Sequence, residues 1–501
     1  IRASVMMTIV LGGWALKRPS DLINSLATAA FVILLWEPRQ LFEASFQLSF
    51  FVVLVIGLLL PEWNKFSDKL LCHDPLLPDE LLPTWRRTLV WISRMLARYF
   101  SLSLAAWIGS IPLSALYFHL FSPVSPLANL IAVPLGTLAL MSNLGALVYG
   151  AWFPFATELF NNAAWFFMSA MTAVSEWFTR IPGAFFYVPA PSWFTIGIYY
   201  AVLIGAFSGW LKTSRRKISG AAILIIIAAI YFFRWENLRN ETDLTVLPLD
   251  GGHAVFVDAA GRKSDWLIGC GNESAAGFTL KSFLRTQGVN KIPRLVLTEG
   301  DSQNCGGAQL LNQLFGVGKL WTSSVKFRSG VYRETVAEFE KPPSRHYSLH
   351  CGDKIGVWQV LWPSGTNNLP HADDNALVLL GNFHGAKILL SSDLSRASQS
   401  ALLSHTNDLR ADIVIAGLPE EGEPLCDALL DAIQPKVIVV ADSEFPANRR
   451  ASRELKDRLA GKNIPVIYTR DSGAVKIIAN QTGWKLQTMD GQKFSSATLL
   501  N

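Results

Sequence analysis

Apolar and polar positions follow two different rhythms along this chain. In its first part, apolar residues run on with few interruptions at 3–16, 22–36, 41–60, 89–120, 126–150, 157–179, 193–211 and 218–233. Such runs predict helices that are apolar all round, and a bilayer core of roughly 30 Å takes about 20 helical residues. Several runs are shorter than that, which suits re-entry or burial by neighbours as well as crossing. The 89–120 run is the longest and holds Arg94, Arg98 and Pro112. It reads as an interfacial amphipathic segment followed by a crossing. From Asp243 onward the rhythm changes to short β-rich runs at 243–249, 253–258, 264–268, 293–297, 355–361, 376–380, 386–390, 411–416 and 436–441. Helical stretches are predicted between them at 279–287, 307–315, 398–404, 424–432 and 450–460. Strands mixed with helices indicate a layered α/β domain. The expected organisation is therefore a polytopic α-helical membrane domain of about eight helices over 1–235, a linker at 236–242 and a soluble α/β domain over 243–501.

Composition sharpens this division. Half of the 501 residues are hydrophobic and 17% are charged, against about 25% charged in an ordinary soluble chain. Mean hydropathy is +0.28. No Asp, Glu, Lys or Arg stands between Arg98 and Glu158. These values exclude a typical cytosolic enzyme, a disordered chain and a coiled coil. The net charge of +5 is explained by basic loops at Lys17-Arg18, Arg86-Arg87 and 212–217, because positive loops stay cytoplasmic. With eight spans all three fall on one side, which puts 180–192 and everything after Arg234 on the extracytoplasmic face. Cys72, Cys270, Cys305, Cys351 and Cys426 form no CxxC pair, zinc-finger spacing or disulfide framework. The start at Ile1-Arg2-Ala3, already inside an apolar run, reads as a continuation of a longer protein.

Polar residues within the apolar runs are the informative ones. Gln47 and Ser49 lie in Phe46-Gln47-Leu48-Ser49-Phe50, Asn129 follows Pro126-Leu127-Ala128, and Asn143 lies in a Gly-rich run. Polar groups in hydrocarbon need partners or a wet cavity, so each is either an interhelical packing residue or the lining of a path. Pro112, Pro126 and Pro134 are expected to break helices, as in transporters and channels. Trp14, Trp107, Trp152, Trp193 and Trp210 fall mostly at predicted span ends, as an aromatic belt does.

These residues carry a resemblance. The run from Asn24-Ser25-Leu26-Ala27 to Pro38, then Phe46-Gln47-Leu48-Ser49-Phe50, resembles the membrane domain of the bacterial competence DNA-translocation family, ComEC. So do Pro112-Leu113, Phe118 and the segment Phe121-Ser122-Pro123-Val124-Ser125-Pro126-Leu127-Ala128-Asn129-Leu130-Ile131-Ala132-Val133-Pro134. The resemblance covers about residues 1–235 and implies a multi-pass protein of the cytoplasmic membrane that passes single-stranded DNA, with Gln47, Ser49, Asn129 and Asn143 as channel candidates. No nucleotide-binding motif is visible, so a cytoplasmic motor or a DNA receptor is an expected partner. The oligomeric state is left open.

The order of elements after 243 resembles the αββα metallo-β-lactamase-like domain that ends many members of that family. Leu249-Asp250-Gly251-Gly252-His253-Ala254 and Trp266-Leu267-Ile268-Gly269-Cys270-Gly271 match family segments. The family's main ligand motif is Ser-His-Pro-Asp-x-Asp-His-x-Gly-Gly, and the equivalent stretch here is Thr298-Glu299-Gly300-Asp301-Ser302-Gln303-Asn304-Cys305-Gly306-Gly307. Glu299 replaces the first His, Gln303 the second Asp and Asn304 the last His, while Asp301 and Gly306-Gly307 remain. Asp393, in Leu389-Leu390-Ser391-Ser392-Asp393, keeps a further ligand. Histidines are missing after Ile413-Val414-Ile415-Ala416 and around Asn448-Arg449-Arg450. Zinc hydrolysis needs imidazole and carboxylate ligands around an activated water, so the resemblance implies a degenerate site at Glu299, Asp301, Gln303, Asn304 and Asp393, without metal or cofactor. A rearranged oxygen-ligand site would use Glu299, Asp301, Asp393 and Glu420 or Glu421.

The other features have plain readings. His253, His346, His350, His371, His384 and His405 show no HxH or HExxH spacing and read as surface or hydrogen-bonded residues. Asp250 and His253 flank a tight turn. Arg449, Arg450, Arg453, Lys456 and Arg458 read as one solvated helix face that could meet phosphates. Two rival functions stay open: a membrane-anchored metal-dependent hydrolase or nuclease with an altered site, and a non-transporting envelope-binding protein.

Overall fold

The computed structural model describes residues 2–15, 22–71, 83–150, 152–207, 222, 226, 229, 241–259, 265–364, 371, 373–406 and 408–496. The predicted span at 218–233, the linker at 236–242, the basic clusters Lys17-Arg18 and 212–217, and Trp210 fall wholly or mostly outside them. The chain divides into two compact units, Ile1–Ile225 with Arg285–Gly288, and Ile226–Leu284 with Val289–Asn501.

The first unit is helical: α1 (Arg2–Ala15), α2 (Leu22–Trp36), α3 (Ala44–Leu71), α4 (Thr84–Phe118), α5 (Ser125–Tyr149), α6 (Pro154–Thr179) and α7 (Trp193–Phe207). Among the described residues, three stretches, Ala44–Pro61, Thr84–Phe118 and Ser125–Tyr149, are long and apolar enough to cross a membrane, and three shorter apolar helices accompany them. Val55 and Leu59 of α3, Ala105 and Leu113 of α4, and Ile196, Tyr200 and Leu203 of α7 form one buried cluster. Leu26, Ala29 and Ile33 of α2 form a second with Phe46 and Phe50 of α3. Large apolar residues such as Leu140, Met141, Leu144, Leu147, Trp165 and Phe166 face outward, as on a surface that meets lipid. The two-residue strands β1 (Leu120–Phe121) and β2 (Phe186–Tyr187) pair antiparallel, so the loops after α4 and α6 lie at the same end of the bundle.

Two expectations fail here. The 89–120 run is not two segments: α4 is one helix of 35 residues, about 52 Å long at 1.5 Å per residue. Pro112 and Pro134 do not break helices but lie inside α4 and α5. Pro126, in the first turn of α5, sits where the missing N–H is an orphan anyway. Proline inside a helix releases the carbonyl four residues earlier, and membrane helices keep such prolines when a neighbour re-satisfies it. Ile108 O, the carbonyl that Pro112 releases, accepts from Tyr199 Oη at 2.8 Å, and Gly109 O accepts from Tyr200 Oη at 2.7 Å. Both tyrosines belong to α7, which splints α4 at its proline.

The second unit holds β3 (Thr242–Leu249), β4 (Gly252–Asp258), β5 (Trp266–Ile268), β6 (Ile292–Leu297), β7 (Val317–Ser323), β8 (His346–Leu349), β9 (Lys354–Ile355), β10 (Trp358–Trp362), β11 (Val378–Phe383), β12 (Ala386–Ser392), β13 (Ile413–Ala416), β14 (Val437–Val440), β15 (Val466–Tyr468), β16 (Val475–Asn480), β17 (Gly483–Thr488) and β18 (Lys493–Ser495). They build a nine-stranded sheet in the order β18-β17-β16-β3-β4-β5-β6-β7-β8 and a seven-stranded sheet in the order β15-β14-β13-β12-β11-β10-β9. Within them β5 to β8 run parallel, as do β12 to β15.

Residues of both sheets share one core. Val246, Val255, Ile268, Val296 and Ile477 of the first sheet pack with Ile388, Leu390, Ile413, Ile415, Val437 and Val439 of the second. The alternate residues Leu389, Val414, Ile438 and Val440 join a separate cluster with Leu402, Leu429, Leu455 and Leu459 of the helices Arg396–His405, Asp427–Ile433 and Arg453–Ala460. Strands buried on both faces need apolar residues at every position, which is why 413–416 and 437–440 are unbroken apolar runs. The helices that follow β5 and β6 bury Leu280, Leu284, Leu311 and Phe315. The expected α/β architecture of two central sheets with outer helices is present. Strands β7, β8 and β15 to β18 and the helix Gly330–Glu340 add to the predicted set.

Candidate functional site

In the helical unit, a cavity of about 360 Å³ opens where α4 ends and α5 begins. Ser110, Ser114, Ser122, Ser125 and Asn129 line it, with Val52, Trp107, Ile111 and Phe121 among the apolar residues. Its rim is held by polar contacts: Trp107 Nε1 donates to Ser122 O at 2.7 Å, Ser122 Oγ to Ala184 O at 2.9 Å and Ser103 Oγ to Pro126 O at 3.1 Å. Of the four residues singled out within the spans, Asn129 lies in this cavity. Gln47 does not. It is buried, donates to Leu41 O at 2.9 Å and accepts from Tyr117 Oη at 2.9 Å, so it packs α3 against α4. Ser49 is exposed and donates to Ser45 O of its own helix, and Asn143 is exposed on α5.

In the α/β unit, the loops that follow the parallel strands converge. The loop after β6 delivers Glu299, Asp301 and Asn304, the end of β12 delivers Asp393, and β13 leads into Gly417, Leu418 and Glu420. Asp301 caps the short helix Ser302–Cys305 by accepting from Asn304 N at 3.1 Å. This turns the Asn304 side chain inward, where Nδ2 donates to Glu299 Oε2 at 2.8 Å and Asp393 Oδ2 at 3.2 Å. The Asp393 N–H donates to Glu299 Oε1 at 3.0 Å. Gln303 is not part of the cluster. Its Oε1 accepts from Asn272 Nδ2 at 3.1 Å beneath the β3–β4 turn.

Two residues that the sequence did not nominate complete the cluster. Arg449 is 4% exposed and ends a 3₁₀ turn, Ala447–Arg449. Its Nη1 lies 2.6 Å from Asp393 Oδ2 and also donates to Leu418 O. Its Nη2 lies 3.7 Å from Asp301 Oδ2 and 3.8 Å from Glu420 Oε1. Arg449 is therefore not on a solvated helix face, and only Arg453, Lys456 and Arg458 belong to the helix Arg453–Ala460. His253 is likewise no surface histidine. It is 1% exposed, with Nδ1 3.6 Å from Asp393 Oδ1. Gly417 makes room for that contact, since a Cβ there would stand 1.7 Å from Asp393 Oδ1 and 3.2 Å from His253 Nδ1. Gly252 likewise admits Asn304, whose Oδ1 would lie 2.6 Å from an added Cβ.

The charges are set by burial and by each other. Burial raises Glu299 well above the usual carboxylate range, and Asp393 and Asp301 add to the rise. Asp301 is pushed up to about 6 by burial and then by Asp393, with Arg449 pulling the other way. Asp373, whose Oδ2 accepts from Glu420 N at 2.7 Å, is pushed up to about 6 by burial. Burial lowers His253 and keeps its imidazole neutral. Burial also works against the Arg449 cation, but the surrounding carboxylates, Asp393 foremost, outweigh it and raise its pKa.

The donor set does not suit the two-metal centre of the family that the sequence resembles. Asp393 Oδ2 is engaged by the Arg449 guanidinium and Asn304 Nδ2, and a cation bound to Asp393 would meet that guanidinium at close range. One imidazole is present where such centres use several, and its Nε2 is buried without a hydrogen-bond partner. Among the described residues, no group of three or more His, Cys, Asp or Glu is arranged to hold an ion.

The model of the Competence protein family matches residues 1–213. ComE operon protein 3 of Bacillus subtilis (strain 168) is 21% identical over 508 residues, covering 95% of this chain and 60% of that protein. Competence protein ComA of Neisseria gonorrhoeae is 23% identical over 402 residues, covering 77% of this chain and 53% of that protein. The chain thus spans between half and two thirds of the length of these relatives. Among solved structures, a metal-dependent hydrolase of the beta-lactamase superfamily is 12% identical with a TM-score of 0.33, covering 46% of this chain and 98% of its own. Igni18, a metallo hydrolase from the archaeon Ignicoccus hospitalis KIN4/I, is 14% identical with a TM-score of 0.32, covering 47% and 98%. Over residues 1–213, the apolar helices and the cavity at Asn129 included, the chain is similar to the Competence protein family.

Proposed function

We propose that this chain belongs to a DNA-uptake translocator of the cytoplasmic membrane. In this reading it passes one strand of DNA along a polar route beside α4 and α5, and its extracytoplasmic α/β domain no longer hydrolyses. The observation that carries the proposal is the polar cavity at Asn129, inside an otherwise apolar bundle and within the residues that match the Competence family model. Neutral hydroxyl and amide groups suit a polyanion in transit, because they offer hydrogen bonds to phosphates and bases without the strong attraction that would hold a charged polymer in place. Expected partners are single-stranded DNA, the bilayer, and a cytoplasmic motor or a DNA receptor that supplies the driving force. The domain boundaries near 235 and 243 belong to the same proposal.

The test is genetic. Deletion of the gene should abolish transformation, and complementation with Asn129→Trp, which fills the cavity, should fail while the protein still reaches the membrane at normal levels. Unchanged DNA uptake in the deletion strain would reject the reading. Metal-dependent cleavage of single-stranded DNA by the purified protein would favour the hydrolase alternative instead.

A further inference from the structure

We propose that Arg449 is a tethered counter-ion that fastens the loops after β6, β12 and β13 to one another. The proposal does not depend on what crosses the membrane.

The geometry is specific to a guanidinium. One nitrogen of Arg449 serves Asp393 and the carbonyl of Leu418, and the other faces Asp301 and Glu420, so a single side chain reaches three loops. A planar fork of five N–H donors can do this, whereas an ammonium is a point charge. The turn that presents it is itself fixed: Arg449 N donates to Pro446 O at 3.0 Å, and Ser443 N donates to Arg449 O at 3.1 Å. Asp393 is 2% exposed and Glu299 0%. Buried carboxylates at this density repel one another unless a cation stands among them. Arg449 is the Lys or Arg with side-chain contacts to this cluster among the described residues.

A tethered cation differs from a bound one in ways that can be measured. A chelator cannot remove it, added cations cannot improve on it, and its loss leaves an oxygen-rich hole. That hole would be lined by Glu299, Asp301, Asp393 and Asn304 Oδ1, which has no hydrogen-bond partner. Oxygen ligands of this kind suit a hard divalent ion such as Ca²⁺.

Hydrogen–deuterium exchange on the full chain in detergent, followed at 298–305 and 391–395, tests this. Arg449→Ala should speed exchange there by about a hundredfold, because removing one partner leaves buried charge uncompensated. Millimolar Ca²⁺ should slow exchange in Arg449→Ala and leave the parent protein unaffected. The double variant Arg449→Ala/Asp393→Asn should regain at least about tenfold of the protection, since the two sites are coupled. Unchanged exchange in Arg449→Ala would overturn the proposal. So would protection of the parent by Ca²⁺, and so would a loosened Arg449→Ala that neither the ion nor Asp393→Asn repairs, since Arg449 would then act by packing alone. If Arg449→Ala gives no folded protein, Arg449→Lys serves. It should loosen the cluster only partly and ignore Ca²⁺, and a Lys variant that gives no folded protein or opens under Ca²⁺ control overturns the proposal equally.

Discussion

In the helical unit a stranded polar group is answered by a neutral partner. In the α/β unit it is answered by a full charge. Pro112 strands the carbonyl of Ile108, and Tyr199 supplies one hydroxyl at 2.8 Å. Asp393, buried between strand ends, is met by the Arg449 guanidinium at 2.6 Å and by Asn304. A carbonyl costs a few kcal/mol at most when left unpaired, so a single hydroxyl suffices, and a hydroxyl can stand in an apolar bundle. An ionised carboxylate costs far more to bury, so a cation is needed even though its own desolvation is expensive. The same contrast runs through the two sites. The cavity at Asn129 is neutral and open, whereas the cluster around Arg449 is charged and closed by internal bonds.

Gly417→Ala is the harshest way to strain this comparison. The added methyl would overlap Asp393 Oδ1 and push Asp393 off Arg449 and His253. Overpacking of a buried site costs about 1–3 kcal/mol, and a broken buried ion pair adds about 3–5 kcal/mol. The expected result is an α/β unit that opens in limited proteolysis while the helical unit stays resistant. A fully resistant Gly417→Ala protein would mean that the cluster is much looser than its distances indicate.

Tyr199→Phe sharpens the other half of the comparison. It removes the hydroxyl that serves Ile108 O and leaves Pro112 in place, at a cost of about 1–2 kcal/mol. Thermal unfolding of the membrane unit should fall accordingly. The double variant Tyr199→Phe/Pro112→Ala should recover most of the loss, because alanine restores the helical N–H that Ile108 O would accept. If the double variant falls below Tyr199→Phe alone, the kink made by proline matters more than the orphan carbonyl it creates.

What the sequence revealed follows from how local each feature is. Helices longer than a dozen apolar residues and strands buried on both faces, such as Ile413–Ala416, announce themselves. The positions of Glu299, Asp301, Asn304 and Asp393 were legible because glycines and strand ends flank them in order. Whether Pro112 breaks α4 was not legible, since that depends on Tyr199, 91 residues from the Ile108 carbonyl it serves. Arg449 was hidden for the same reason. It sits 56 residues from Asp393 and precedes residues that look like the start of a basic helix. His253 was hidden because a tight turn, Asp250-Gly251, precedes it, and only the pleat of β4 carries its ring inward. The helix Gly330–Glu340 escaped because Thr335 occupies a fully buried position of its inner face, which breaks the apolar period.

The smallest expected effect is on pH dependence, and two opposed groups decide it. Asp301 and Asp373 have pKa values of about 6 in the folded protein against an ordinary 3.8. Between those values the folded state binds more protons than the unfolded one, so their contribution to stability falls as pH rises through about 6 and is regained on acidification. Glu299 acts in the same direction. His253 acts in the other, because its folded pKa lies below the ordinary 6.5, so acidification through about 6.5 favours the unfolded state. Local exchange at 298–305, corrected for the intrinsic rate, should therefore slow modestly between about pH 7 and pH 5. His253→Asn should steepen that trend, and Asp301→Asn should flatten it. A parent protein that loosens on acidification would mean that His253 outweighs Asp301 and Asp373 in this range.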